Sequence, residues 1–229
     1  MDARLTAIGE LVPRGARLAD IGTDHAYLPI ALVKKNWIDF AIASDIAEGP
    51  LANAKNDIIK SGLQNQIQTR LGSGISPLRF EDHIDCIIVA GMGGRLITNI
   101  LDSAKLLSKV PTLILQPNIG EPIVRKWLNT HHYAITAEKI LAEKGHIYEI
   151  IRADHVAEVQ PLTSRELLFG PQLLKHQNTV FKQKWQHQLA YRTKLYADLN
   201  RASHKDQAHI QQTRQEITFI QEILKNDES

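Results

Sequence analysis

The chain has 229 residues, 43% of them hydrophobic, and its 27 Lys and Arg against 25 Asp and Glu leave a net charge of +2. This length holds one α/β domain with a smaller appendage, and no apolar run is long enough to cross a bilayer. The single cysteine, Cys86, excludes an internal disulfide, and the charged start MDARLTAIGELV is unlike a secretory peptide, so we expect a cytoplasmic protein.

Apolar runs and amphipathic stretches alternate over the first two thirds of the chain. Helical spacing over residues 2–12 predicts a lid or packing helix ahead of the sheet. Strands are then predicted at residues 17–20, 40–44, 67–71, 83–90 and 112–116, and helices at 26–35, 48–61, 94–107 and 121–130. Two last strands, 133–142 and 146–153, flank a hairpin turn at Glu143-Lys144-Gly145. The pattern predicts a doubly wound, mostly parallel sheet that ends in an antiparallel hairpin.

The composition changes from Gly170-Pro171 onward to Gln, Lys and His. Apolar residues at spacings of seven and of three to four predict two antiparallel helices that form a coiled-coil hairpin, or alternatively one exposed oligomerisation helix. Between Gln172 and Gln215 the basic residues outnumber the two aspartates, which indicates an RNA-binding surface. These basic residues are Lys175, Lys182, Lys184, Arg192, Lys194, Arg201, Lys205 and Arg214. Trp185 either packs within this hairpin or stacks on a base.

The first strand leads into the turn DIGTDHAY, whose only glycine is Gly22. The dinucleotide fingerprint G-x-G-x-x-G is therefore absent, which favours a cofactor without a pyrophosphate, such as S-adenosylmethionine. Asp45, at the end of the second strand, stands where an acidic residue binds ribose hydroxyls. Other roles stay open: Asp20 as a cap of its own turn and Asp24 as the N-cap of the next helix.

Three later strand ends carry glycine or polar residues. LGSGI (71–75) offers a turn beside the adenine position, and AGMGG (90–94) allows backbone to approach a ligand closely. In LQPN (115–118), Gln116 and Asn118 either bind an acceptor base or satisfy backbone groups. The ten histidines show no metal-ligand spacing, so we expect no metal, and Cys86 lies in an apolar strand, so we expect it to be buried.

Taken together, ADIGTDHAYLPI, ASDIAEGPLANA, LGSGI, VAGMGG and LQPN resemble the bacterial tRNA (adenine-22 N1) methyltransferase family, TrmK, in order and spacing. The resemblance implies a class I S-adenosylmethionine-binding catalytic domain at residues 1–160. It also implies a helical coiled-coil, tRNA-binding domain at residues 161–229. Two residues depart from the family pattern: Asp45 stands where many relatives carry glutamate, and Ser73 where asparagine or aspartate is common.

The resemblance also implies roles for individual residues. Asp24 stabilises the charge that develops on the base, Asn118 orients its amino group and Tyr27 stacks on it. The residues expected to hold the cofactor are Asp20, Gly22, His25, Asp45, Ile46, Gly72, Ser73, Gly74, Ala90, Gly91 and Met92. The alternatives are a non-catalytic RNA-binding protein with this fold or a small-molecule methyltransferase, and we expect a monomer or weak homodimer.

Overall fold

The computed structural model describes residues 1–102, 109–202 and 204–225. Seven strands form one sheet in the order β3-β2-β1-β4-β5-β7-β6, in which β7 alone runs antiparallel to its neighbours. The strands are β1 Arg17–Ile21, β2 Phe40–Asp45, β3 Ile67–Leu71, β4 Cys86–Gly93, β5 Thr112–Ile119, β6 Tyr133–Glu143 and β7 His146–His155. The doubly wound sheet with a terminal antiparallel hairpin is therefore confirmed.

Helices cover both faces of the sheet and continue beyond it. They are α1 Ala3–Gly9, α2 Tyr27–Lys34, α3 Glu48–Lys60, α4 Gly94–Asp102, α5 Glu121–Thr130, α6 Ser164–Phe169, α7 Thr179–Arg201 and α8 Gln207–Lys225. One apolar cluster joins α1, α2 and α3 to the sheet, and a second joins α4 and α5 to its other face. The last part of the helix predicted at 94–107 lies outside the described residues, and α6 has no counterpart in the sequence prediction.

The largest differences from the predicted strand boundaries concern β4 and β5. β4 begins at Cys86 rather than at residue 83, because a short 3₁₀ turn, Phe80–Asp82, ends at His83 with a φ of +49°. β4 and β5 continue through the glycine and proline segments that were predicted as turns, pairing Met92 with Pro117 across a bulge. Cys86 is fully buried, as predicted, and burial raises the pKa of its thiol.

The C-terminal helices pack against each other and against the hairpin of β6 and β7. Phe181 and Trp185 of α7 share a buried cluster with Ile220 and Ile223 of α8, with Phe169 of α6 and with Ile140 of β6. Arg192, which follows these residues in α7, pairs at 2.7 Å with Glu216, which precedes them in α8, so the two helices run antiparallel. The single-helix alternative is wrong. Trp185 is only 2% exposed, so it packs and does not offer its ring to a base.

A buried charge cluster joins the sheet to the C-terminal helices. Arg125 of α5 is fully buried and donates to Glu138 of β6 at 2.8 Å and to Glu149 of β7 at 2.5 Å. Lys184 of α7 reaches the other oxygen of Glu149 at 2.8 Å and also pairs with Glu121. Five charged side chains from four elements therefore meet at this junction, and we call them the Arg125 cluster.

Candidate active site

A cavity of about 260 Å³ opens at the carboxyl ends of β1 and β4, where the strand order of the sheet reverses. Ligands bind at this position in open α/β sheets, because the turns that follow two adjacent strands diverge there. Its walls come from α1, the end of β1, the first turn and the start of α2. The lining residues are Asp2, Arg4, Leu5, Asp20, Ile21, Gly22, Thr23, Asp24, His25, Ala26, Tyr27, Leu28 and Ala90.

The first turn is fixed against the neighbouring strand β2. The backbone N–H groups of Gly22 and Thr23 both donate to the carbonyl oxygen of Ser44, at 2.8 and 3.0 Å. Gly22 has a φ of +76°, and a Cβ built there would lie 2.3 Å from Cε of Met92. The left-handed backbone favours glycine here, whereas the terminal methyl group of Met92 could move aside for a Cβ.

Asp20, the penultimate residue of β1, has a half-buried carboxylate at the cavity. Burial raises the pKa of this carboxyl to about 6, and the negative charge of Asp45 raises it further. A hydrogen bond with Thr23 and the nearby positive charge of Arg4 lower it, but they do not cancel the effect of burial. The group is therefore largely ionised at neutral pH but takes up a proton in mildly acidic solution. A carboxylate in this position is suited to bind a cationic amine.

A chain of polar side chains runs from α1 to the end of β5. Arg4 donates to Oε1 of Gln116 at 2.7 Å, and Nε2 of Gln116 donates to Oδ1 of Asn118 at 3.0 Å. Oε1 of Gln116 also accepts a hydrogen bond from the N–H of Gly91. Nδ2 of Asn118 donates to the carbonyl oxygen of the same residue, Gly91. Gln116 and Asn118 therefore satisfy backbone groups, which is one of the two roles predicted for them. These bonds fix the orientation of the Asn118 amide and leave one lone pair on its oxygen without a donor.

Arg4 is a site residue that the sequence prediction missed. Residues 2–12 were interpreted as a lid or packing helix, and α1 does cover the cavity, with the N–H of Ala3 donating to Glu143 at 2.7 Å. Nothing in the local pattern indicates that Arg4 lies near Asp20, which is sixteen positions later and in another element. Helical spacing gives the buried face of α1 but not the strand end that its arginine contacts.

Asp24, His25 and Tyr27 lie together at the mouth of the cavity. The Asp24 side chain is 72% exposed, and its Oδ1 lies 3.8 Å from Nε2 of His25. The rings of His25 and Tyr27 stack at 4.9 Å with an angle of 7° between their planes. α2 begins at Tyr27 with Ala26 as its N-cap and no side-chain capping bond. The interpretation of Asp24 as a helix cap is therefore wrong.

The remaining predicted cofactor residues form an open shelf beside the cavity rather than lining it. Oδ1 of Asp45 accepts from the N–H of Ala47 at 2.8 Å, and the N–H of Gly72 donates to the Asp45 carbonyl at 3.0 Å. Ile46 is 70% exposed next to them. Ser73 and Gly74 follow at the end of β3, which pairs with β2. The shelf thus continues the cavity across the ends of β2 and β3.

The start of α4 and the residue after β5 approach each other through glycines. A Cβ built on Gly94 would lie 2.5 Å from the carbonyl oxygen of Gly120, which itself has a φ of +81°. No side chain larger than hydrogen fits at position 94 unless the backbone at Gly120 moves. The last glycine of AGMGG therefore lies against the backbone of Gly120, two residues after LQPN.

Two further features of the described chain bear on its chemistry. Among residues 1–102, 109–202 and 204–225, no three His, Cys, Asp or Glu side chains come close enough together to hold a metal ion. Within the same ranges, no helix combines the length and the apolar composition that a membrane span needs.

Known proteins resemble the chain over nearly its whole length. Residues 18–222 match the family described as TrmK, tRNA (adenine(22)-N(1))-methyltransferase. The tRNA (adenine(22)-N(1))-methyltransferase of Bacillus subtilis (strain 168) is 38% identical over 98% of this chain and 95% of that protein. Streptococcus pneumoniae Sp1610 in complex with S-adenosyl-L-methionine superimposes with a TM-score of 0.88 at 37% identity, over 98% of this chain and 99% of that one. TrmK of M. capricolum in complex with S-adenosyl-homocysteine superimposes with a TM-score of 0.84 at 28% identity, over 98% of each chain.

Proposed function

The chain belongs to the tRNA (adenine(22)-N(1))-methyltransferase family, and from that premise we propose how its own residues serve the reaction. It is an S-adenosylmethionine-dependent enzyme that methylates N1 of adenine 22 in tRNA, built on a Rossmann-like class I methyltransferase fold. We assign residues 1–160 to catalysis and residues 161–229 to tRNA binding. We further propose that it acts as a monomer or weak homodimer in the cytoplasm, where tRNA is its substrate.

The cavity and its shelf suit S-adenosylmethionine, which carries an ammonium group, a ribose and an adenine but no phosphate. Asp20 would hold the ammonium, and Asp45 on the shelf would hold the ribose hydroxyls. Gly22 leaves the first turn free of a side chain, and Ala90, Gly91 and Met92 would border the methionine end. The half-buried carboxylate of Asp20 beside this glycine turn is the observation that carries the assignment.

When bound, the cofactor supplies a methyl group on a positively charged sulfur. The N1 lone pair of adenine is free at neutral pH, so the protein has no proton to remove first and mainly has to position the base. Asp24 would stabilise the positive charge that develops on the base. Asn118, held by Gln116 and Gly91, would border the base on the side of β5. Tyr27, 54% exposed, would stack on it once it has left its pairing.

The assignment of Asp20 predicts how cofactor affinity depends on pH. The ionised carboxylate binds the ammonium and the protonated form does not, so affinity should be complete well above pH 6 and lost as the pH falls through 6. We expect the dissociation constant to rise about tenfold per pH unit below that value. Isothermal titration calorimetry between pH 5 and 7.5 measures this change. In Asp20→Asn the affinity should be weak and flat, and a wild-type profile in that variant would contradict the assignment.

The basic surface of the helical hairpin is smaller than the sequence suggested. Lys184 is paired with Glu121 and Glu149, and Arg192 with Glu216, so neither is available for phosphates. The exposed basic side chains without an ion pair in the described part of the hairpin include Lys194, Arg201, Lys205 and Arg214. We propose that these side chains, towards the end of the hairpin that is remote from the sheet, contact the tRNA backbone.

Neutralising two of these side chains should weaken tRNA binding without affecting the cofactor. In Lys194→Gln/Arg201→Gln we expect tRNA affinity to fall about tenfold at low salt and the slope of log affinity against log salt to decrease by about 1.5 to 2. The matched control is Lys35→Gln/Lys55→Gln, which removes one exposed charge directly after α2 and one within α3. Filter binding at several salt concentrations tests this, and an unchanged slope in the hairpin variant would argue against the surface. Truncation at residue 171 is unsuitable because it would expose the buried cluster of Phe169 and Ile140.

The activity itself is tested with unmodified tRNA and S-adenosylmethionine tritiated in the methyl group. We expect label to enter the tRNA and reverse transcription to stop at adenine 22. Tight tRNA binding without incorporation of label would favour a non-catalytic RNA-binding protein. Methyl transfer to small molecules but not to tRNA would favour a small-molecule methyltransferase.

A further inference from the structure

Asp57 of α3 reaches the mouth of the active site although it lies more than thirty residues after the first turn. Its Oδ2 is 2.7 Å from Nδ1 of His25, and Oδ1 lies 3.5 Å from the exposed Lys60 on the same helix. The Asp57 side chain is 26% exposed and that of His25 is 31% exposed, so the pair is largely shielded from water. The hydrogen bond with His25 lowers the pKa of Asp57, which keeps this carboxylate ionised.

An ionised carboxylate at Nδ1 determines which nitrogen of His25 carries the proton. A carboxylate only accepts hydrogen bonds, so the Nδ1 atom must be the donor. In the neutral imidazole, Nε2 then has a free lone pair and acts as an acceptor. Asp57 thereby turns the outward-facing nitrogen of His25 into an acceptor and fixes the ring against Tyr27.

Two acceptors consequently lie side by side at the cavity mouth, Nε2 of His25 and Oδ1 of Asp24, 3.8 Å apart. A nitrogen placed about 2.9 Å from both would see them at an angle of about 80°, so one amino group can donate to both through moderately bent hydrogen bonds. The stacked rings of His25 and Tyr27 add a flat surface next to this pair. A planar ring that carries an exocyclic amino group fits both features.

We propose that Asp57 is a positioning residue that holds His25 so that His25 and Asp24 together accept hydrogen bonds from the exocyclic amino group of the acceptor adenine. This inference rests on the proposed function and adds a basis for base selection. Guanine carries a carbonyl oxygen at the same ring position, which would face two acceptors and be repelled. Purine, which lacks the amino group, would leave both acceptors without a donor. His25 therefore acts on the acceptor base rather than on the cofactor.

The test uses full-length enzyme and two tRNAs that carry either adenosine or purine riboside at position 22. For each enzyme the ratio of the two kcat/KM values measures how strongly the amino group is recognised. For the wild type we expect adenosine to be preferred 10-fold to 100-fold. In Asp57→Ala, and in His25→Phe, which keeps a flat ring beside Tyr27, we expect the ratio to fall to about 3 or less.

Controls separate this role from a merely structural one. Lys60→Ala removes the other partner of Asp57 and should keep the wild-type ratio. In both site variants the affinity for S-adenosylmethionine should stay within about twofold, and thermal unfolding identifies any variant that fails to fold. An unchanged ratio in His25→Phe, or a loss confined to cofactor affinity, would overturn the inference while the methyltransferase activity stands. A wild-type enzyme that does not methylate adenosine-22 tRNA would instead overturn the proposed function together with it.

Discussion

Replacing Arg125 with alanine is expected to lower the free energy of unfolding by about 3–5 kcal/mol, because it leaves the buried carboxylate of Glu138 without a cation and that of Glu149 with Lys184 alone. The side chains of Glu138 and Glu149 are both almost fully buried, so water cannot replace the lost guanidinium. Arg125 also donates to the carbonyl oxygens of Leu167 and Leu168, at 3.3 and 3.2 Å. The substitution therefore removes the contacts that join α5 to β6, β7 and α6 at once.

The electrostatics of the Arg125 cluster support this size of effect. Burial opposes the charge of Arg125, yet the adjacent carboxylates of Glu149 and Glu138 raise its pKa, so the guanidinium stays charged. For Glu138, burial raises the pKa despite the charge of Arg125. Removing the cation takes away the interaction that offsets this burial. The cost of the substitution is thus mainly the uncompensated charge of Glu138, since Glu149 keeps its ion pair with Lys184.

Urea unfolding of Arg125→Ala, compared with Arg165→Ala, measures the effect. Arg165 pairs with Glu222 at 2.6 Å, but both side chains are partly exposed, so that substitution should cost no more than about 1 kcal/mol. Similar losses in the two variants would show that the buried cluster does not stabilise the junction as inferred.

Replacing Asp24 with alanine is expected to lower kcat about 10²-fold to 10³-fold while cofactor affinity stays near the wild-type value. The expected size is that of removing one group placed to stabilise charge in a transition state. Asp24 makes no capping bond to α2 and is 72% exposed at the mouth of the cavity, so its loss should not disturb the fold. The substitution therefore tests chemistry separately from stability.

Single-turnover methylation and calorimetry with S-adenosylmethionine distinguish the two quantities. Asp39→Ala, which removes an exposed aspartate just before β2, is the matched control and should leave both unchanged. Normal turnover with weakened cofactor binding in Asp24→Ala would move Asp24 to the cofactor side of the site.

The sequence predicted most elements of the sheet because their signals are local. The strand at Ile67–Leu71 and the helix at Glu121–Thr130 were predicted with the bounds that the structure shows, since apolar periodicity and flanking breakers define them. The ends of β4 and β5 were not, because pairing between the two strands outweighs the glycine and proline in Met92–Gly93 and Pro117. Local propensity favours a turn there, whereas the neighbouring strand favours extension.

The site shows the same division between local and long-range information. Gly22 and Asp20 were found because one short motif holds them both. Arg4 and Asp57 were missed because they reach the site from other helices. Lys184 and Arg192 were counted as free positive charges because their acidic partners lie outside residues 172–215. Periodicity indicates which face of a helix is buried, but not which polar side chain it meets.

The contact between Gly94 and Gly120 has a consequence for how this site can vary. A Cβ added to Gly94 would lie only 2.5 Å from the carbonyl oxygen of Gly120. Main-chain atoms therefore set the distance between the start of α4 and the residue after β5. Side chains on either segment can change without altering that distance, whereas a change at position 94 would shift both segments together. The start of α4 and the residue after β5 are therefore adjusted to each other through main-chain atoms, which leaves their exposed side chains free to differ between related enzymes.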